Sequence, residues 1–169
     1  MNKQDDLEYS GQVRDVVLTE LIAQVQDENT KNYITACIMP QMMWYSQRSK
    51  KYKQQYYRWM TFSILMGGLI PIVSVFANGM IWVKILIAAL GTAVTTSNAY
   101  ISLHNYKDLW LNYQNTHEIL LRVLYCYFYS VSIFTRCGTQ AEKDTLLVNI
   151  CENVLYNESN GWQILMKDP

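Results

Sequence analysis

Hydrophobic and polar positions are segregated along this chain rather than mixed. Between Trp59 and Leu103 the only charged residue is Lys84, whereas both flanks are rich in Lys, Arg, Asp, Glu, Asn and Gln. Residues 59–77 read WMTFSILMGGLIPIVSVFA without a charge. At about 1.5 Å per residue such a run covers most of a hydrocarbon core about 30 Å thick. Residues 80–103 form a second run, with Lys84 in its first turns, where a long side chain reaches headgroup level. Buried helices of a water-soluble bundle keep a polar face at helical spacing, and these two runs have none. The pattern predicts an all-α membrane protein: a two-transmembrane helical hairpin with long cytoplasmic helical extensions that form a bundle. Asn78 and Gly79, which tolerate positive φ, supply the tight outer turn.

The flanks carry helical periodicity of their own. Val13, Val17, Leu21, Ile22 and Val25 predict an amphipathic helix over 10–27. Pro40 suits the start of a second helix, running through Trp44 and Tyr45 into the first span. After the second span, Leu103, Tyr106, Trp110, Tyr113, His117, Leu120, Leu124, Tyr127, Val131 and Phe134 recur in alternating steps of three and four. No Gly or Pro interrupts Thr92 to Cys137, so the second span is expected to continue as one long helix that Gly138 ends. This 3.5-residue repeat asks for a partner helix, either residues 44–58 of the same chain or the same helix of a neighbour. Leu146, Leu147, Ile150, Val154 and Leu155 predict a last helix over 140–157, followed by a tail with Trp162. The chain thus divides into an N-terminal cytoplasmic region (1–39), the hairpin with its extensions (40–137) and a C-terminal helix and tail (138–169).

Charge sets the orientation. The formal net charge is zero, which gives no general pull toward nucleic acid, but its distribution is uneven. No Asp or Glu occurs between Glu28 and Asp108, and Arg48, Lys50, Lys51, Lys53 and Arg58 crowd the residues before the first span. The positive-inside rule places that side, and with two spans both chain ends, in the cytoplasm. The same cations are expected to contact anionic lipid headgroups. The polar, acidic start MNKQDDLEYS is not a signal peptide. Cys37, Cys126, Cys137 and Cys151 form no metal or disulfide pattern and read as reduced thiols. His117, on the stripe, reads as a satisfied core or interface histidine. Phosphate loops, metal motifs, nucleophile elbows and acidic pairs are all missing. The expectation is therefore a non-enzymatic protein with no catalytic residue, no metal and no cofactor.

Within the spans the small and weakly polar residues fall on faces. Ser63, Gly67, Pro71 and Ser74 lie near one face of the first, a candidate packing or kink set; Gly91, Thr95, Asn98 and Ser102 recur on one face of the second. Such residues let membrane helices approach closely, or line an aqueous path when copies assemble as a homo-oligomer. Both readings stay open at this point.

Taken together, the WYSQRSKKYKQQYYRW helix, the IPI around Pro71, the short outer turn and the block DLWLNYQNTHEILLRVLYCYFY resemble the SLATT domains, bacterial two-transmembrane modules found beside nucleotide-signalling genes. The resemblance covers roughly Trp44 to Trp162, and Trp110, Tyr113, Glu118, Glu152, Glu158 and Trp162 carry its most specific part. Gln114 and Arg122 depart from the pattern, where an Arg and an acidic residue are common. The resemblance implies an effector that forms pores in the inner membrane during antiphage or other conflict responses. It further implies a partner, a nucleotide-signalling or sensor protein, that triggers oligomerisation or opening. The competing expectation is a non-conducting membrane adaptor or sensor subunit that recruits a cytoplasmic partner.

Overall fold

A computed structural model of the chain describes residues 16–75 and 81–165, with side chains as far as Glu158. All described elements are helical: α1 (16–23), α2 (Glu28–Tyr33), a π-helical turn (Ile34–Ile38), α3 (Met39–Ser74), α4 (Ile81–Leu103), α5 (Tyr106–Phe128), a 3-10 turn (Ser132–Arg136) and α6 (Gln140–Leu165). The expected outer turn at Asn78–Gly79, the ends of both expected spans that face it, and Val13 lie outside the described residues.

Local chemistry explains the boundaries. Asp27 caps α2, its carboxylate accepting from the Thr30 amide and hydroxyl, both at 2.8 Å. The second helix therefore starts well before Pro40. A proline inside a helix lacks an N–H and crowds the carbonyl four residues back. The π turn precedes it, with the Met39 N–H reaching the Ile34 carbonyl five residues back, and the helical path continues through Pro40. Before α6, Thr139 Oγ1 accepts from the Glu142 N–H (3.3 Å) while Glu142 accepts from the Thr139 N–H (3.4 Å), a capping box, and also from the Gly138 N–H (2.8 Å). α6 runs to Leu165, eight residues beyond the predicted end.

The expected single helix from the second span onward is broken twice. α4 stops at Leu103 and α5 begins at Tyr106, with Asn105 between them at φ 43°. α5 then ends at Phe128, where Ser130 (φ 51°) and Ser132 (φ 61°) also take left-handed conformations. Neither break contains Gly or Pro, so no composition signal marks them.

Two compact units result, one from Met1–Tyr45 with Thr116–Pro169, the other Ser46–Asn115. The first has a conventional core, in which Leu18, Ile22, Ile34, Ile38, Leu120, Leu124, Phe134 and Leu147 are buried. In the second, α3 and α4 run antiparallel: Trp59 packs on Tyr100, Ser63 bonds Asn98, and Gly67 faces Val94. The helical run that begins at Ile81 contains the one described stretch long and apolar enough to cross a membrane, and only 6% of that stretch is buried.

Candidate functional site

The α3–α4 seam is polar where a soluble pair would be apolar. Ser63 is 7% exposed and Ser97 3%, while Ile64 and Trp82 are 64% and 78% exposed. Ser63 Oγ donates to Asn98 Oδ1 (3.1 Å), and Ser97 Oγ donates to the Ala93 carbonyl (2.7 Å). Of the packing set, Ser63 meets α4 directly. A methyl group added at Gly67 would touch Val94 Cγ2 at 3.9 Å, an ordinary contact. Pro71 and Ser74 are exposed, and the Ser74 hydroxyl donates to the Pro71 carbonyl (2.7 Å).

The candidate pore-lining residues do not share one environment. Asn98 is committed to Ser63. Thr95 is exposed, but its hydroxyl is occupied by the Thr92 (2.9 Å) and Gly91 (3.1 Å) carbonyls. Gly91 is half-buried with no side-chain neighbour within 4 Å of an added Cβ, and Ser102 is exposed. Sequence reasoning missed Ser97, the most deeply buried polar residue of the seam, because an isolated serine has no periodic partner to mark it.

Among the cations, Lys50, Lys51, Lys53 and Arg58 are exposed and Arg48 is half-buried. Lys53 Nζ sits 5.4 Å above the Trp110 ring, a cation–π contact. The same face of α3 meets α5 through two further contacts, with Ser49 Oγ donating to the Trp110 carbonyl (3.2 Å) and Tyr52 stacking on Tyr113 (5.8 Å, 19°). The Trp110 indole N–H is buried without an acceptor. Farther along the stripe, His117 Nδ1 lies 3.1 Å from the Met42 carbonyl. A carbonyl only accepts, so Nδ1 carries the proton. From Tyr106 to Tyr127 the heptad stripe therefore packs within its own chain, while Leu103 and Val131 are exposed.

The residues that carry the family resemblance separate. Trp110 and Tyr113 belong to the Ser46–Asn115 unit, whereas Glu118, Glu152 and Glu158 belong to the other. Glu118 is exposed, and the Trp162 side chain lies outside the described residues. Three carboxylates of α6 each accept a phenol: Asp144 from Tyr127 (2.6 Å), Glu152 from Tyr33 (2.8 Å) and Glu158 from Tyr45 (2.6 Å). Burial first, then the carboxylate bond, pushes the Tyr33 and Tyr127 phenols above their ordinary value. Burial likewise pushes the Cys151 thiol up to about 12, which makes it an unreactive core group. The Tyr33 and Tyr45 donors come from elements more than a hundred residues away, so no local pattern announces them.

A cleft of about 690 Å³ in the same unit is lined by residues including Asp27, Thr30, Gln140, Asp144 and Asn149. It offers carboxylates, amides and hydroxyls without a thiol or imidazole. No group of three metal-ligating side chains occurs among the described residues.

These features define an all-helical protein with one membrane-capable helix and a polar helix–helix seam. The chain belongs to the family described as a protein of unknown function (DUF4231), which it matches over residues 40–141. The match takes in α3, α4, α5, the 3-10 turn and the first two residues of α6, leaving α1, α2 and most of α6 outside. No curated protein and no solved structure matches the chain.

Proposed function

We propose that this chain is a two-pass protein of the bacterial inner membrane, with both ends cytoplasmic, that assembles as a homo-oligomer and permeabilises the membrane as a non-enzymatic effector. The observation that carries the membrane reading is the inverted α3–α4 pair, which turns Ile64, Leu65, Ile72, Val75, Ile81 and Trp82 outward while burying Ser63 and Ser97. In water such a surface is a large apolar liability; in lipid it is the expected one, and small polar residues then hold helices together. The 23 residues of α4 rise about 35 Å, enough for a hydrocarbon core of about 30 Å. Exposed Trp59 and Tyr57 near one end and Trp82 near the other suit an aromatic belt. Lys50, Lys51 and Arg58, free on the outer face of α3, suit anionic headgroups on the cytoplasmic side.

The effector reading rests on the SLATT resemblance and on the weakly polar residues of α4, with half-buried Gly91 and exposed Thr95 and Ser102 lining a path and Asn98 freed from Ser63 on opening. Its trigger would be a nucleotide-signalling or sensor protein acting on the cytoplasmic helices, as in antiphage systems. One observation favours the adaptor alternative: α1, α2 and most of α6 lie outside the family match and share one core with α5, an addition that a recruiting module would make.

Two experiments test the proposal. For topology, Trp82→Cys should react with an impermeant thiol reagent added outside intact cells while Leu111→Cys should not; the reverse pattern defeats the orientation. For activity, the purified chain should conduct in planar bilayers, and Thr95→Leu should reduce conductance while Ile87→Leu leaves it unchanged. Absence of conductance with every trigger and partner supplied would favour the adaptor, and equal conductance of both variants would remove the lining face.

A further inference from the structure

The break between α4 and α5 conflicts with its own sequence. Residues 92–137 hold neither Gly nor Pro, and the stripe from Leu103 through Tyr106, Trp110 and Tyr113 keeps its three-and-four spacing straight across the break. Nothing in that pattern asks the helix to stop. The departure is concentrated at Asn105, at φ 43°. Asparagine is one of the few residues besides glycine that enters this region readily. Its carbonyl then receives the Asp108 (3.0 Å) and Leu109 (3.1 Å) N–H groups and starts α5, while its own N–H bonds Ser102 (3.3 Å) at the end of α4.

The contacts that accompany the break are impossible in an unbroken helix. Tyr106 donates from its hydroxyl to the Tyr100 hydroxyl (3.2 Å), and His104 stacks on Tyr106 at 5.2 Å and 8°. At about 100° per residue, positions two and six apart point about 200° and 240° away from each other on one helix. Trp59 against Tyr100 (4.9 Å) and Tyr52 against Tyr106 (6.1 Å) hold the cluster from α3.

Burial reveals two registers on the two sides of the break. On α4, Val83, Ile87, Leu90, Val94, Ser97 and Ile101 form a series of less exposed positions at steps of three and four, with Gly91 and Ala93 beside it. The next member of that series would be residue 104 or 105, yet both are exposed and the next buried residue is Tyr106. Read backward, the α5 register passes through Leu103, Ala99, Thr96 and Thr92, all exposed, with Leu103 at 80%. The two series, 90/94/97/101 and 92/96/99/103, are thus out of step by two residues, or about 200° of rotation, so they lie on nearly opposite faces of the helix.

We infer that the α4–α5 joint is a two-state element: a broken form latched by Tyr100, His104 and Tyr106, and an unbroken form in which α4 and α5 share one register. Closing the break with α5 in place rotates α4 about its axis. It exchanges the seam of Leu90, Val94 and Ser97 for the hydroxyl-bearing and small face of Thr92, Thr96 and Ala99. Both sets are present in the same helix, and a single backbone torsion selects between them. The device rests on backbone and contacts alone and holds whether or not the chain conducts.

Amide hydrogen exchange on the full chain in lipid nanodiscs tests it at the joint. In the broken form the Tyr106 and Lys107 amides begin a helix and have no carbonyl four residues back to bond; in the unbroken form they do. Asn105→Ala, which disfavours positive φ, is expected to slow exchange at 106–107 at least tenfold relative to Asn105→Gly, which favours it. Tyr100→Ala, which removes the latch without touching the backbone, is expected to shift exchange in the same direction as Asn105→Ala. Equal exchange at 106–107 in the parent and all three variants overturns the inference. So does faster exchange in Tyr100→Ala confined to the joint, because the latch would then hold order and not the break. Exchange in the middle of α3 and α5 reports global unfolding; should Asn105→Ala raise it there, the comparison of Tyr100→Ala with Asn105→Gly decides.

Discussion

In the unit formed by the two chain ends, Leu120, Leu124, Phe134 and Leu147 are fully buried, and phenols that reach the core edge are bonded to carboxylates of α6. The Ser46–Asn115 unit does the opposite over α3 and α4, with aliphatic side chains outward and serines within. The same chain therefore obeys the hydrophobic effect in one place and inverts it in another. The contrast teaches that burial has to be judged against the surrounding medium. Apolar burial drives folding only where water is the alternative. Where lipid is the alternative, helix contact depends on close packing and hydrogen bonds. Under the membrane proposal both halves follow one physics in two solvents.

The comparison can be broken most forcefully in the conventional core. Phe134→Ala should destabilise its unit by about 3–5 kcal/mol, the usual cost of a large-to-small change at a fully buried aromatic. Leu65→Ala, on the outward face, should leave denaturant midpoints in detergent nearly unchanged. Similar losses for both would show that the outward face is buried after all.

Next in size, a charge on the outward face separates lipid from water. Leu65→Lys should cost about 2.5–3.5 kcal/mol of insertion free energy if α3 spans a bilayer, seen as loss from the carbonate-resistant membrane fraction. On a water-exposed helix the same change would be neutral or would improve solubility.

The phenol–carboxylate bonds sharpen the other side. Tyr45→Phe should cost about 1.5–3 kcal/mol, since the acceptor is ionised. Glu158→Gln should be non-additive with it in a double-mutant cycle, and additivity would show that the 2.6 Å contact carries no coupling.

Within the seam, Ser63→Ala should cost only about 0.6 kcal/mol, the average for polar contacts between membrane helices, and Asn98→Ala should add little to it. The smallest effect belongs to the α2 cap. Thr30, first through its hydroxyl and then through its amide, holds the Asp27 carboxyl below its ordinary value. A lowered acid contributes stability above its unfolded pKa and loses it as pH falls through the folded value. Asp27→Asn should therefore match the parent in acid and fall slightly below it at neutral pH, as read by amide exchange at Thr30.

Much of this was legible without coordinates. The apolar block 59–103, the basic cluster before it and the heptad stripe are composition and periodicity, local quantities that a linear reading captures. Helical class, the membrane-capable α4 and the amphipathic flanks follow from them. The helix starting at Glu28 was missed because Pro40 drew the boundary, whereas the π turn, a backbone adjustment with no residue signature, carried the helix through it. The grouping of Gly91, Thr95, Asn98 and Ser102 came from helical spacing, which gives the angle around an axis but not which angle faces a neighbour. Likewise Glu152 and Glu158 stood out, while their donors Tyr33 and Tyr45 lie more than a hundred residues away.

By itself, then, the sequence determined the helical class, which segments favour an apolar medium and which carry positive charge, because those properties sum over near neighbours. Tertiary structure alone decided that the stripe from Tyr106 to Tyr127 packs within its own chain, that Ser63 and Ser97 face inward, and that the long helix breaks at Asn105. The physical reason is the same for all three. Each choice is a small local preference, worth no more than a hydrogen bond or one left-handed torsion, and contacts between distant segments such as Trp59 and Tyr52 with Tyr100 and Tyr106 are enough to settle it.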